Sequence, residues 1–168
     1  MKKIVIIGAN DFQNQLILKA KEMGFETHVF AWQDGSIGER TADYFYPVSI
    51  VEIDEILEKC KEIKPDAVTT IASDLANITV SKVAAGLGLP GNTPECIEIS
   101  TNKYAMRSAF LKAGIPTPAF YKVDQVQDEL YKMKLPVIVK PTDRSGSRAI
   151  TKITDFKDLE GAIQDAVE

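Results

Sequence analysis

The run Lys3-Ile4-Val5-Ile6-Ile7-Gly8 constrains this chain more than any other stretch. Uninterrupted β-branched residues without polar alternation describe a strand covered on both faces, the pattern of a parallel sheet flanked by helices. The adjoining residues agree. Leu16, Ile17, Ala20 and Met23 recur at helical spacing, Gly24 is placed to end the helix, and residues 27–32 read as a second strand. Residues 44–48 predict a short edge strand, and Ile53, Ile56, Leu57 and Cys60 an amphipathic helix. Residues 67–71, just after Pro65, predict a further strand. Ala76, Val80, Val83, Ala84 and Leu87 form a third helical stripe closed by Gly88. Strands joined by helices pair in parallel through right-handed crossovers, so residues 1–93 are expected to form a doubly wound α/β unit.

Composition narrows the function classes. A chain of 168 residues has room for one domain or two small lobes. Lys and Arg number 20 against 24 Asp and Glu, a net charge of -4 that argues against a nucleic-acid backbone as partner. No apolar run approaches the roughly 20 residues that span a bilayer. Met1-Lys2-Lys3 leads directly into a strand without a cleavage site, so no membrane partner is expected and the chain reads as cytoplasmic. Cys60 and Cys96 lack metal-ligand spacing and are expected as reduced thiols. His28 is the only imidazole, which excludes histidine triads and histidine-based metal clusters. Tyr44, Phe45 and Tyr46 are either half-buried sheet residues or an association edge for a homodimer.

From residue 94 onward the pattern changes. Two helical stretches are punctuated by Pro94 and by Ser100-Thr101-Asn102, the second running over residues 103–113 and closed by Gly114. Ile115-Pro116-Thr117-Pro118 forces extended backbone, because a residue before proline is pushed out of the helical region. Strands are predicted at 119–123, 136–140 and 148–153. Helices are predicted around Val126, Leu130 and Met133 and over 156–167, with a loop at 142–147.

Two regions can carry chemistry. At the carboxyl end of the first strand, Gly8-Ala9-Asn10-Asp11 sits where open α/β sheets bind ligands. With one glycine instead of three, this turn lacks the dinucleotide fingerprint, which argues against a dehydrogenase. Gly8, Asn10 and Asp11, with Asp74 on the same rim after the strand at 67–71, are candidate substrate contacts; Asn10, Asp11 and the Ser73-Asp74 pair serve equally as helix caps. In the second region Lys140 ends the apolar strand Val137-Ile138-Val139 and Pro141 stops it, so an ammonium stands beside a loop. That loop, Thr142-Asp143-Arg144-Ser145-Gly146-Ser147-Arg148, carries amides and hydroxyls suited to phosphate oxygens. Lys103 at the start of a helix is mildly unfavourable by dipole logic, which suggests another reason for its presence.

These residues together resemble the amino-terminal part of the ATP-grasp superfamily, particularly carbamoyl-phosphate-synthase-like carboxylate-amine ligases. The resemblance covers the whole chain. Its carriers are Asn102-Lys103-Tyr104-Ala105-Met106-Arg107, Gly114-Ile115-Pro116-Thr117-Pro118, Pro136-Val137-Ile138-Val139-Lys140-Pro141 and Ser145-Gly146-Ser147, in the family's order. It implies a Rossmann-like pre-ATP-grasp domain over 1–93 and a small α+β ATP-grasp N-lobe over 94–168. It also implies that Lys103 and Lys140 contact ATP, with Lys140 near the α-phosphate and adenine, while Ser145, Gly146 and Ser147 close over the β and γ phosphates. The implied reaction joins a small-molecule carboxylate to an amine through an acyl phosphate, with magnesium on the phosphates. The chain ends at Glu168, before the lobe that supplies the magnesium ligands in this family. The expectation is therefore a fragment without catalytic residues of its own, inactive by itself. Ala149 stands where family members often have glycine, which puts the flexibility of the loop in question. The competing reading is a non-catalytic Rossmann-like module that binds a small metabolite around Gly8, Asn10 and Asp74.

Overall fold

The structure of the chain, a computed structural model, describes residues 1–144, 146 and 148–167. Ser145 and Ser147 of the candidate phosphate loop lie outside the described residues. The chain divides into two units, Met1–Ile97 and Glu98–Glu168.

Unit 1 is built on four parallel strands, β1 (Lys3–Ile7), β2 (Glu26–Phe30), β3 (Tyr44–Tyr46) and β4 (Ala67–Thr69), in the order β3-β2-β1-β4. In register, Ile6 lies against Val29 of β2 and Thr69 of β4. Four longer helices connect or follow them: α1 (Asp11–Glu22), α3 (Ile53–Ile63), α4 (Asp74–Gly86) and, at the division in the sequence, α5 (Pro94–Thr101). A short helix α2 (Ile37–Thr41) precedes β3.

The continuous apolar run of β1 has the predicted consequence. Val5 and Ile7 enter one core cluster with Ile56 and Cys60 of α3 and Val83 of α4, while Ile6 enters another with Ile17 and Ala20 of α1. Val5, Ile6 and Ile7 are all fully buried. Each such side chain contributes about 1.5–3 kcal/mol of burial, so β1 anchors both faces of the unit. Burial pushes the Cys60 thiol up to about 12, which leaves it protonated and inert at neutral pH, whereas Cys96 is exposed; both are free. His28 is a structural residue. Its Nδ1 lies 2.9 Å from the Tyr46 hydroxyl and its Nε2 2.8 Å from Glu26 Oε1, and its ring stacks on Tyr44 at 4.8 Å.

Unit 2 contains α6 (Lys103–Lys112), an antiparallel pair β5 (Val137–Val139) and β6 (Thr151–Ile153), and α7 (Leu159–Val167). Its core gathers Leu130, Ile153, Leu159, Ala162 and Ile163, with Val137 and Val139 packed against them. Three expectations fail here. No strand forms at 119–123: Phe120 packs edge-on to Tyr104 and Lys122 sits over the same ring, so side-chain contacts replace a backbone ladder. The stretch around Val126, Leu130 and Met133 condenses to a 3-10 turn at Asp128–Lys132. The predicted helix over 156–167 opens with a 3-10 turn at Phe156–Asp158 before α7. In unit 1 the helix α2 is not foreseen from the sequence, because five residues are too few to display a period. Among the described residues no helix is long and apolar enough to cross a membrane.

Candidate functional sites in the two units

In unit 1, the carboxyl ends of β1, β2 and β4 open onto a cleft of about 140 Å³. It is lined by Gly8, Asn10, Gln13, Trp32, Asp34 and Ser73 among others. The turn from β1 into α1 needs Gly8 on two counts. Its φ is +102°, and a Cβ there would lie 3.0 Å from the Gln13 side-chain amide carbon. Asn10 is the N-cap of α1, its Oδ1 accepting from the Phe12 N–H at 2.9 Å and the Gln13 N–H at 3.4 Å. Ser73 caps α4 in the same way, its Oγ accepting from the Ala76 N–H at 3.2 Å. Of the four candidate substrate contacts, Gly8 and Asn10 line this cleft; Asp11 and Asp74 stand in the first turns of α1 and α4 and do not line it.

Two residues of the cleft are not singled out by the sequence pattern. Gln13 is 1% exposed, its Nε2 donates to the Ile71 carbonyl, and its Oε1 has no hydrogen-bond partner among the described residues. The signal that can find it is a polar residue on the buried face of α1, one turn before Ile17. Asp34 is the other. Its Oδ1 accepts from the Ser36 N–H at 2.9 Å and from the Ser36 hydroxyl, bonds that hold its carboxyl below the usual range.

In unit 2, the structure brings Lys103 and Lys140 together. The Lys103 N–H donates to the Thr142 carbonyl at 2.7 Å, and its ammonium donates to the Arg144 carbonyl, so the start of α6 is fastened to the loop after β5. Asn102 caps α6, its Oδ1 accepting from the Tyr104 and Ala105 N–H groups at 3.0 Å each. Desolvation first, and then the positive charges of Arg107 and Lys103, hold the Lys140 ammonium below the ordinary lysine range. Arg107 is the third cation of the cluster, its Nη1 donating to the Thr117 hydroxyl at 3.1 Å. Its position four residues beyond Lys103, one helical turn away, is the signal that can find it. None of the three has a carboxylate within ion-pair distance among the described residues.

Lys140 also follows β5 in an instructive register. Val137 and Val139 turn toward the core, while Ile138 is 55% exposed and Lys140 lies exposed two residues further on the same side. The strand is thus covered on one face only. An aliphatic surface and an ammonium share its outer side. Gly146 has φ +73° and Ala149 φ +50°, so the loop holds an L-residue where the left-handed backbone favours glycine.

The chain is similar to known proteins in sequence and in fold. No family model matches the chain. The formate-dependent phosphoribosylglycinamide formyltransferase of Prochlorococcus marinus is 23% identical over 172 residues, spanning 99% of this chain and 44% of that protein. The alanine–anticapsin ligase of Bacillus subtilis is 31% identical over 111 residues, 64% of this chain and 23% of that protein. Among solved structures, the L-amino acid ligase of Bacillus licheniformis superposes with a TM-score of 0.82 at 24% identity, covering 98% of this chain and 42% of that one. The chain therefore spans less than half the length of each of these proteins.

Proposed function

We propose, for a chain whose relatives and structural neighbours are ATP-grasp carboxylate-amine ligases and which matches their amino-terminal part, that unit 2 contributes half of a nucleotide clamp to such a ligase. The observation that carries this reading is the cluster of Lys103, Arg107 and Lys140. Three like charges gathered without a carboxylate partner among the described residues repel one another, and this repulsion adds to the desolvation that already holds Lys140 below the ordinary lysine range. A polyphosphate relieves it. The described residues therefore fit the anionic part of ATP. Among the described residues no group of three His, Cys, Asp or Glu side chains is placed to hold a metal ion.

In this reading Lys140 meets the α-phosphate, with Ile138 beside it as an apolar seat for the base. Lys103 keeps the loop after β5 in place through its backbone N–H and exchanges the Arg144 carbonyl for a phosphate oxygen when nucleotide arrives. Gly146 would be the described residue of this loop that meets the outer phosphates. The nucleotide supplies the phosphoryl group that activates a substrate carboxylate for attack by an amine. The chain's own contribution is positioning and charge neutralisation, which carry most of the catalysis in phosphoryl transfer. The whole ligase reaction, its small-molecule carboxylate and amine, magnesium as the nucleotide's companion, a cytoplasmic setting and a homodimer through β3 all belong to this proposal.

Titration calorimetry of the chain with MgATP tests it. A saturable heat is expected, and Lys140→Ala is expected to weaken binding about tenfold, the worth of a charge-assisted hydrogen bond. Equal affinity in Lys140→Ala, with the fold intact by circular dichroism, defeats the assignment.

A further inference from the structure

The cleft of unit 1 has a chemistry that separates two kinds of substrate. The names of the similar proteins cover both a phosphoribosyl compound and amino acids. A phosphate at the carboxyl edge of a parallel sheet is held by free helix-terminal amides and by cations. Cations are not offered here among the described residues, and the amides are partly committed. Asn10 already occupies the Phe12 and Gln13 N–H groups of α1, and Ser73 occupies the Ala76 N–H of α4. Among the described residues no Lys, Arg or His lines the cleft, and its one charged side chain is Asp34. Asp11 and Asp74 add negative charge to the first turns of both helices.

What the cleft does offer is a buried oxygen in want of a donor. Gln13 is buried, its amide nitrogen is committed to the Ile71 carbonyl, and its Oε1 is unpartnered among the described residues. A Cβ at position 8 would lie 3.2 Å from that oxygen, so it is glycine there that lets the Gln13 side chain sit against the turn. A buried unsatisfied acceptor costs free energy that a ligand donor recovers. An apolar side chain left in solvent stands with it: Trp32, itself lining the cleft, is 65% exposed.

We propose that the unit 1 cleft receives the ammonium group of an amino-acid-like substrate, with Gln13 Oε1 as its acceptor, Asp34 as its counter-charge and Trp32 against its apolar side chain. It rests on the ligase reading only in making that ligand the amine substrate of the reaction.

Trp32 is the only tryptophan of the chain, so its indole N–H signal in a nitrogen-15 correlation spectrum reports on the cleft alone. L-leucinamide, which carries an ammonium and no carboxylate, is expected to shift that signal saturably, and ribose 5-phosphate is not. Gln13→Met is expected to weaken L-leucinamide about tenfold, the effect of removing a hydrogen bond to a charged group. Asp34→Asn, at an exposed position, gives a second variant whose fold is not at risk, with weakening of about two- to fivefold. Tighter binding of ribose 5-phosphate than of L-leucinamide overturns the proposal. So does the absence of a saturable shift with L-leucinamide, or equal affinity in both variants. MgATP titration of the same samples separates the two readings: nucleotide binding without amine binding sinks this inference alone, and amine binding without nucleotide binding sinks the clamp alone.

Discussion

Unit 1 and unit 2 solve opposite problems with opposite means. In unit 1 the sheet residues Val5, Ile6, Ile7, Val29 and Phe30 are fully buried, and the cleft above them presents oxygens. In unit 2 α6 has no buried residue at all, and the site it carries presents cations. A deep core can hold an unsatisfied acceptor such as Gln13 Oε1, because burial of its neighbours outweighs the cost. A thin core cannot force three positive charges together by packing alone. There the geometry comes from hydrogen bonds, those of Lys103 to the Thr142 and Arg144 carbonyls and of Arg107 to Thr117. Unit 1 is organised by burial and unit 2 by polar fastening, so the two are expected to respond differently to the same kind of change.

The largest effect is expected at Gly38. A Cβ there would lie 2.6 Å from the Ala9 carbonyl oxygen, a backbone atom that cannot step aside, and the Gly38 N–H donates to that same oxygen at 2.9 Å. Gly38→Ala should cost about 1–3 kcal/mol by overpacking the turn that carries the cleft, read as a lowered denaturant midpoint. L-leucinamide binding should fall with it while MgATP binding stays. Loss of both together would break the division of labour between the units.

Arg107→Gln comes next and acts only on unit 2. Losing one cation should weaken MgATP about fivefold at neutral pH, in the range of an interaction with a charged group. A lysine held below its ordinary pKa sheds its proton earlier as pH rises, so affinity in the parent chain should begin to fall at lower pH than an unperturbed lysine would allow. Arg107 is one cause of that depression. Its removal should therefore move the alkaline fall in affinity upward, an effect that simple loss of packing would not produce. An unmoved alkaline limb would detach Arg107 from the Lys140 site.

The smallest effect is expected at Ala149, where φ is +50°. Ala149→Gly relieves a left-handed backbone but adds freedom to the unfolded chain, leaving a net gain of about 0.5–1 kcal/mol. A rise in melting temperature of about 2 °C would report it. A fall instead would mean that the alanine methyl contributes more than the backbone conformation costs.

Much of this molecule is legible in its sequence. The β-branched run of residues 3–7 announces a strand covered on both faces, and the helical stripes fix the crossovers and hence the parallel sheet. Lys103 and Lys140 stand out by placement, one at a helix start and one before a proline at a strand end, and the fold brings their charges together. Other features are hidden for identifiable reasons. The strand expected at 119–123 has suitable residues but no partner strand, a condition that local sequence does not record. Val137-Ile138-Val139 looks uniformly apolar, yet only a second layer decides which faces are covered, and here one side of the strand is left open.

What the sequence alone determined was which segments are the strands and the longer helices of unit 1 and which residue types stand at their ends, since periodicity and turn chemistry are local. What only tertiary structure decided was the state of particular atoms. That Gln13 keeps one amide oxygen unpartnered among the described residues, and that Arg107 joins two lysines, depend on the folded arrangement of their neighbours. Hydrogen-bond satisfaction and charge repulsion act across space with no fixed sequence separation, and so they become visible only once the chain is folded.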